Sequence, residues 1–133
     1  MGERIMIRKL QEADINIVAD IWLDTNIKAH NFISAQYWQN HFEAVKEMLL
    51  PAEVYVYEDE SNNRIQGFIG LYADDIAGIF VSYEAQSGGI GKQLLDFVKG
   101  IKKQLSLRVY QKNTRAIKFY RRENFNIQCE STD

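Results

Sequence analysis

The stretch that most restricts the fold runs over residues 79–101 and reads IFVSYEAQSGGIGKQLLDFVKGI. An apolar run closes at Val81, and glycines follow at Gly88, Gly89 and Gly91. Ile90, Leu94, Phe97, Val98 and Ile101 then recur at helical spacing. Immediately downstream, Leu105, Leu107 and Val109 alternate with Ser106, Arg108 and Tyr110, which is a strand pattern. Strand, glycine turn, helix and strand in that order require a parallel crossover, and a crossover of this kind belongs to a sheet covered by helices. A glycine-rich turn into a helix also leaves the first amide N–H groups of that helix unpaired and lets a ligand approach the backbone. With the helix dipole behind it, such a turn is an anion site, although a plain flexible turn has the same glycines.

The rest of the chain fits the same class. Residues 4–10 read as a first strand, and Glu12 to Asp14 open a helix with Ile15, Val18, Ala19 and Trp22 on one face. A single second helix is expected from Ser34 through Trp38, Phe42, Val45 and Leu49, with Pro51 as its stop. Residues 53–59 and 64–72 form a hairpin about the Ser61, Asn62, Asn63 turn, and 76–81 is the next strand. Asn113 caps a last helix carrying Ala116, Phe119 and Tyr120, and 125–130 is a short closing strand. The expected order is β-α-α-β-β-β-α-β-α-β, one mixed α/β domain over residues 1–133.

Composition narrows the partners. No run approaches the ~20 apolar residues of a membrane span, and the start lacks the apolar core of a signal peptide, so a cytoplasmic protein without a membrane partner is expected. Cys129 stands alone, and His30 and His41 are not at ligand spacing, so neither a disulfide framework nor a metal site is expected. The net charge of −2 conceals an asymmetry: residues 1–85 hold 6 Lys/Arg against 14 Asp/Glu, and residues 86–133 hold 10 against 4. The basic half therefore begins at the glycine stretch, where it suits a polyanion. Overall acidity and the lack of a reading motif argue against nucleic acid.

Two familiar phosphate motifs fail here. A P-loop needs Gly at Gln86 and Ser or Thr at Gln93, and a dinucleotide fingerprint needs a small residue at Leu94. What does match is Gln86-x-x-Gly89-x-Gly91 after an apolar strand, followed by NTRAIKFYRRENF from Asn113. Together these resemble the two signatures of the GNAT N-acetyltransferases, and the likeness to small bacterial members extends over IWLDTNIKAHNFISAQYW and LRVYQKNTRAIKFY.

That resemblance implies a GNAT fold with acetyl-CoA between two splayed parallel strands. It sets the pantetheine arm along the backbone of Ile79, Phe80 and Val81. It assigns the pyrophosphate to the loop made by Gln86, Ser87, Gly88, Gly89, Ile90, Gly91 and Lys92, with Asn113 and Phe119 also on the cofactor. The implied reaction is direct acetyl transfer to a primary amine of a small molecule or protein, with the Val81 N–H polarising the thioester and Tyr120 protonating the departing thiolate. Trp22, His30, Phe32, Asp75 and Arg108 are the implied acceptor side. Arg108 stands where several relatives carry a glutamate base, and a cation cannot take that role, which leaves Asp75, His30, Glu84 or a water chain. Relatives usually continue into a further strand past Ser131-Thr132-Asp133, so either a naturally short protein or a truncated one is expected, its gap closed by the last strand or by a neighbour, as monomer or homodimer. The competing reading is a CoA-binding module with little turnover.

Overall fold

The structure is a computed structural model that describes residues 5–29, 33–60, 63–86, 88–107 and 114–123. Five strands, β1 (Ile5–Lys9), β2 (Glu53–Asp59), β3 (Arg64–Tyr72), β4 (Asp75–Val81) and β5 (Ser106–Leu107), lie side by side in chain order. The first four run antiparallel and β5 is parallel to β4, which is the mixed sheet expected from the crossover. Side-chain alternation sorts two cores onto its faces. Val54, Val56 and Phe68 pack on one side with Val18, Ala19 and Leu49, whereas Tyr57, Ile69 and Leu71 pack on the other with Leu94, Leu95 and Val98.

The helices follow from these faces. A 3-10 turn at Glu12–Asp14 leads into α1 (Ile15–Ala29), and α1 with α3 (Phe42–Leu49) covers the Val54 face. The short α2 (Ala35–Asn40) lays Trp38 edge-on against Trp22, with ring centroids 5.7 Å apart. On the opposite face lies α4 (Ile90–Ile101), whose Leu94, Leu95 and Val98 are fully buried, each stabilising by about 1.5–3 kcal/mol. Behind it α5 (Thr114–Arg122) contributes Phe119 and Tyr120 to the same core. Among the described residues no helix is long and apolar enough to cross a membrane.

One expected element is corrected. The single helix over residues 34–49 is two helices, because the chain changes course at His41 (φ −98°, ψ −1°). The His41 ring nitrogen Nδ1 lies 2.7 Å from the Tyr37 carbonyl, the group that the His41 backbone N–H would reach in a continuous α-helix. That N–H bonds to the Trp38 carbonyl instead, one residue tighter, and the next helix starts from there. The closing strand over 125–130, Cys129 and residues 108–110 of the 105–110 strand lie outside the described residues.

Candidate active site

The site is built on β4, and β4 bends by design. Leu71 pairs with Ile76 and Gly70 with Gly78, so Ala77 is an extra residue that bulges the strand. Among the described residues β4 and β5 pair only at Asp75–Ser106 and Ile76–Leu107, before the bulge. Beyond it, Ser82 N–H donates to the Gln66 carbonyl of β3 at 2.9 Å. Antiparallel residues turn their polar groups alternately toward and away from a neighbour, so the amides of Ile79 and Val81 face away from β3, toward the β5 side of β4. Ile79 and Val81 pack their side chains toward α4, and Phe80 points to the α1 face, stacked on Phe68 at 4.9 Å.

The loop after β4 is a folded piece rather than a slack connection. A 3-10 turn over Tyr83–Ala85 is closed by Ala85 N–H to the Ser82 carbonyl, and Gln86 Nε2 donates to the Val81 carbonyl at 3.0 Å. Gly89 then caps α4 with φ +82°, a left-handed conformation that only glycine holds without strain, and it brings no side chain to close the helix end. Among the described residues a Cβ on Gly89 would meet nothing within 4 Å. The first N–H groups of α4, at Ile90, Gly91 and Lys92, have no partner one turn back and carry the positive end of the dipole. These features fit a diphosphate, and the fit rests on backbone and glycine rather than on charged side chains.

Three elements converge at Gly91. A Cβ there would stand 3.5 Å from the Phe119 ring and 3.8 Å from Ile79 Cγ2, which joins β4, α4 and α5 at one point. Tyr120 is 5% exposed and meets Phe119 edge-on at 5.3 Å. Burial pushes its hydroxyl well above the usual tyrosine range, so it holds its proton at neutral pH. Lys92 directs its ammonium not into the loop but onto Glu123 (2.9 Å) and Asp96 (3.4 Å), and the Glu123 contact leads in raising its pKa.

Other predicted residues fall apart from this point. Asp75 is exposed at the far end of β4, on the order of 20 Å along the strand from Val81, and accepts a hydrogen bond from the Ser106 hydroxyl. Trp22 is half-buried under α2 on the Phe80 face. Lys28 of α1 sets its ammonium 4.3 Å from the Tyr83 ring, which ties the end of α1 to the turn after β4, next to exposed Glu84. Ser87, Asn113, Arg108, His30 and Phe32 lie outside the described residues. No three His, Cys, Asp or Glu side chains cluster among the described residues.

Two contributors escape sequence reading. At Gly67 a Cβ would come within 2.8 Å of the Phe80 carbonyl and 3.2 Å of Ile90 Cγ2, so glycine lets α4 begin hard against the sheet. Its only sequence signal is a glycine inside a strand pattern, the usual mark of close approach. Glu123 is buried although it reads as one more charged residue of a helix end. Its partner is 31 positions away.

This arrangement is that of a known family. A sequence profile described as Acetyltransferase (GNAT) domain matches residues 51–127. The peptidyl-lysine N-acetyltransferase YiaC of Escherichia coli K12 is 34% identical over 124 residues, covering 92% of this chain and 84% of that protein. The peptidyl-lysine N-acetyltransferase YjaB of the same strain is 24% identical over 127 residues, 96% of this chain and 86% of that protein. Among solved structures, PaiA N-acetyltransferase from Thermoplasma acidophilum in complex with coenzyme A superposes with TM-score 0.82 at 23% identity, over 98% of this chain and 93% of that one. Apo YjaB from Escherichia coli gives 0.79 at 24% identity, over 89% and 80%. The chain belongs to the GNAT acetyltransferases. Its chemistry is transfer of an acetyl group from acetyl-CoA to an amine.

Proposed function

We propose that this enzyme acetylates the ε-amine of lysine in a peptide or protein. Support for the acceptor comes from two relatives bearing that name over more than nine-tenths of this chain. The single observation that carries the site assignment is the meeting of Ile79, Gly91 and Phe119 beside buried Tyr120 at the C-terminal end of β4.

In this reading acetyl-CoA supplies the activated acetyl group. The α4 amides from Ile90 to Lys92, with Gly88 and Gly89 clearing their approach and Ser87 completing the loop, bind its diphosphate. The backbone of Ile79 to Val81 takes the pantetheine arm in the manner of an added strand, with Asn113 and Phe119 beside it. As the neutral amine forms its N–C bond, negative charge grows on the carbonyl oxygen, and the Val81 N–H donates to it. The C–S bond then breaks, and Tyr120 gives its proton to the thiolate and regains one from the amine through solvent. A lysine ammonium with a pKa near ~10.4 must first lose a proton. Asp75 stands too far along β4 to accept it. We assign that step to water at the Tyr83 to Ala85 turn, where Glu84 is exposed.

The test is incubation with acetyl-CoA and an N-terminally blocked lysine peptide, read by mass spectrometry and by thiol release. One acetyl group on the lysine is expected, with kcat lowered about 10²-fold by Tyr120→Phe. Transfer to small free amines with the peptide left unmodified would redirect the reading to a small-molecule acceptor.

A further inference from the structure

Of the two carboxylates buried among the described residues, Asp14 is matched by Arg8 beside it in the fold, whereas Glu123 meets its neighbour Arg122 at 3.6 Å and, at 2.9 Å, a lysine from another helix. Glu123 is 6% exposed. A carboxylate withdrawn from water is a liability unless paired, and an apolar side chain would pack the same space at lower cost. Here the pairing is elaborate. Lys92 Nζ in the first turn of α4 donates to Glu123 Oε1 at 2.9 Å, and Lys99 Nζ, about two turns further along α4, donates to the Glu123 backbone carbonyl at 2.7 Å. Both ammonium groups thus grip one residue at the end of α5.

That residue is coupled to the reacting side of α5. Glu123 follows Phe119 by four positions and Tyr120 by three, the spacings that share a helix face, and its N–H bonds to the Phe119 carbonyl at 3.1 Å. Phe119 and Tyr120 pack into the core shared with α4, and apolar contacts of that kind resist separation but allow sliding. A directional charge-assisted bond removes that freedom. We propose that Glu123 is a positioning residue: paired with Lys92 across the α4–α5 seam, it fixes the setting of α5 and so aims the Tyr120 hydroxyl at the departing sulfur. The inference rests on the reading of Tyr120 as the acid. It also gives Lys92 a role through its side chain, separate from that of its amide.

A double-mutant cycle on the full chain tests it, with kcat and the KM for acetyl-CoA measured on protein whose folded fraction is checked by circular dichroism. Glu123→Gln is expected to lower kcat about tenfold while KM moves by less than about threefold. In the Tyr120→Phe background the same change should lower kcat by no more than about twofold, because there is no hydroxyl left to aim. If Glu123→Gln does not fold, Glu123→Met enters the same cycle, removing the charge without stranding an amide. Unchanged kcat in Glu123→Gln, or an equal loss in both backgrounds, overturns the positioning role and leaves the acid intact. Unchanged kcat in Tyr120→Phe alone overturns the acid and with it the positioning role.

Discussion

Gly89 holds φ +82° where α4 begins, and its missing Cβ has free space around it. An alanine there clashes with nothing, so its cost is the backbone conformation alone, about 1–2 kcal/mol. Thermal unfolding of Gly89→Ala should accordingly show a midpoint lowered by several degrees with the fold unchanged. An unshifted midpoint would mean that the turn is not left-handed. At the other end of the molecule Arg8 donates from Nε to Glu58 and from Nη1 to Asp14, each at 2.8 Å, both partly buried. Burial alone would push the Asp14 carboxyl up, but the Arg8 guanidinium and the Gln11 N–H outweigh it and hold Asp14 below the usual range. A carboxyl depressed in the fold stabilises above its unfolded pKa of ~3.9, and that stability is lost as pH falls through the folded value. Urea unfolding should therefore give lower stability at pH 3 than at pH 7. Arg8→Ala should cost about 2 kcal/mol at pH 7 and flatten this pH dependence. A steep acid loss retained in Arg8→Ala would place its source elsewhere.

Among elements, α4 sets the site, and Gly67 sets α4. A methyl group at residue 67 lies 2.8 Å from a backbone oxygen, which cannot rotate away, and 3.2 Å from Ile90. Gly67→Ala is expected to cost about 1–3 kcal/mol in denaturant unfolding and to weaken acetyl-CoA binding by lifting the first turn of α4 from β3. Binding unchanged in a destabilised variant would separate the two roles. The strands and α4 were legible in sequence because their apolar periods match the faces they bury, as with Val54 and Val56 or Leu94 and Val98. The break at His41 was not, since Trp38, Phe42, Val45 and Leu49 keep helical spacing straight across it. The break lies at His41, whose ring nitrogen stands at the Tyr37 carbonyl while its backbone N–H turns to Trp38, a local exchange that apolar spacing does not register. Glu123 was hidden for the opposite reason: nothing in its local pattern distinguishes it, and its shorter ion pair is made with a lysine on another helix.

For the whole molecule, the sheet separates two faces that do different work. One core buries α1 and α3 and carries Trp22 and Phe80, and the other seats α4, α5 and Tyr120. The C-terminal end of β4 lies between them, reached from the α1 side by Lys28 over Tyr83 and from the α5 side by Phe119 over Gly91. The resemblance to the acetyltransferases set Ile79, Gly91 and Phe119 on one cofactor, and in the fold these three residues meet. The acceptor side was not legible in the same way: Asp75 shares a strand with Val81, yet stands at its far end. The most direct measurement is calorimetric titration of acetyl-CoA into the wild-type protein and into Gly89→Glu, whose carboxylate would occupy the open space before α4. Micromolar binding by the wild type, abolished in the folded variant, is the predicted result. A well-folded wild type that takes up no acetyl-CoA, or a variant that binds as tightly, would contradict the placement of the cofactor on this loop.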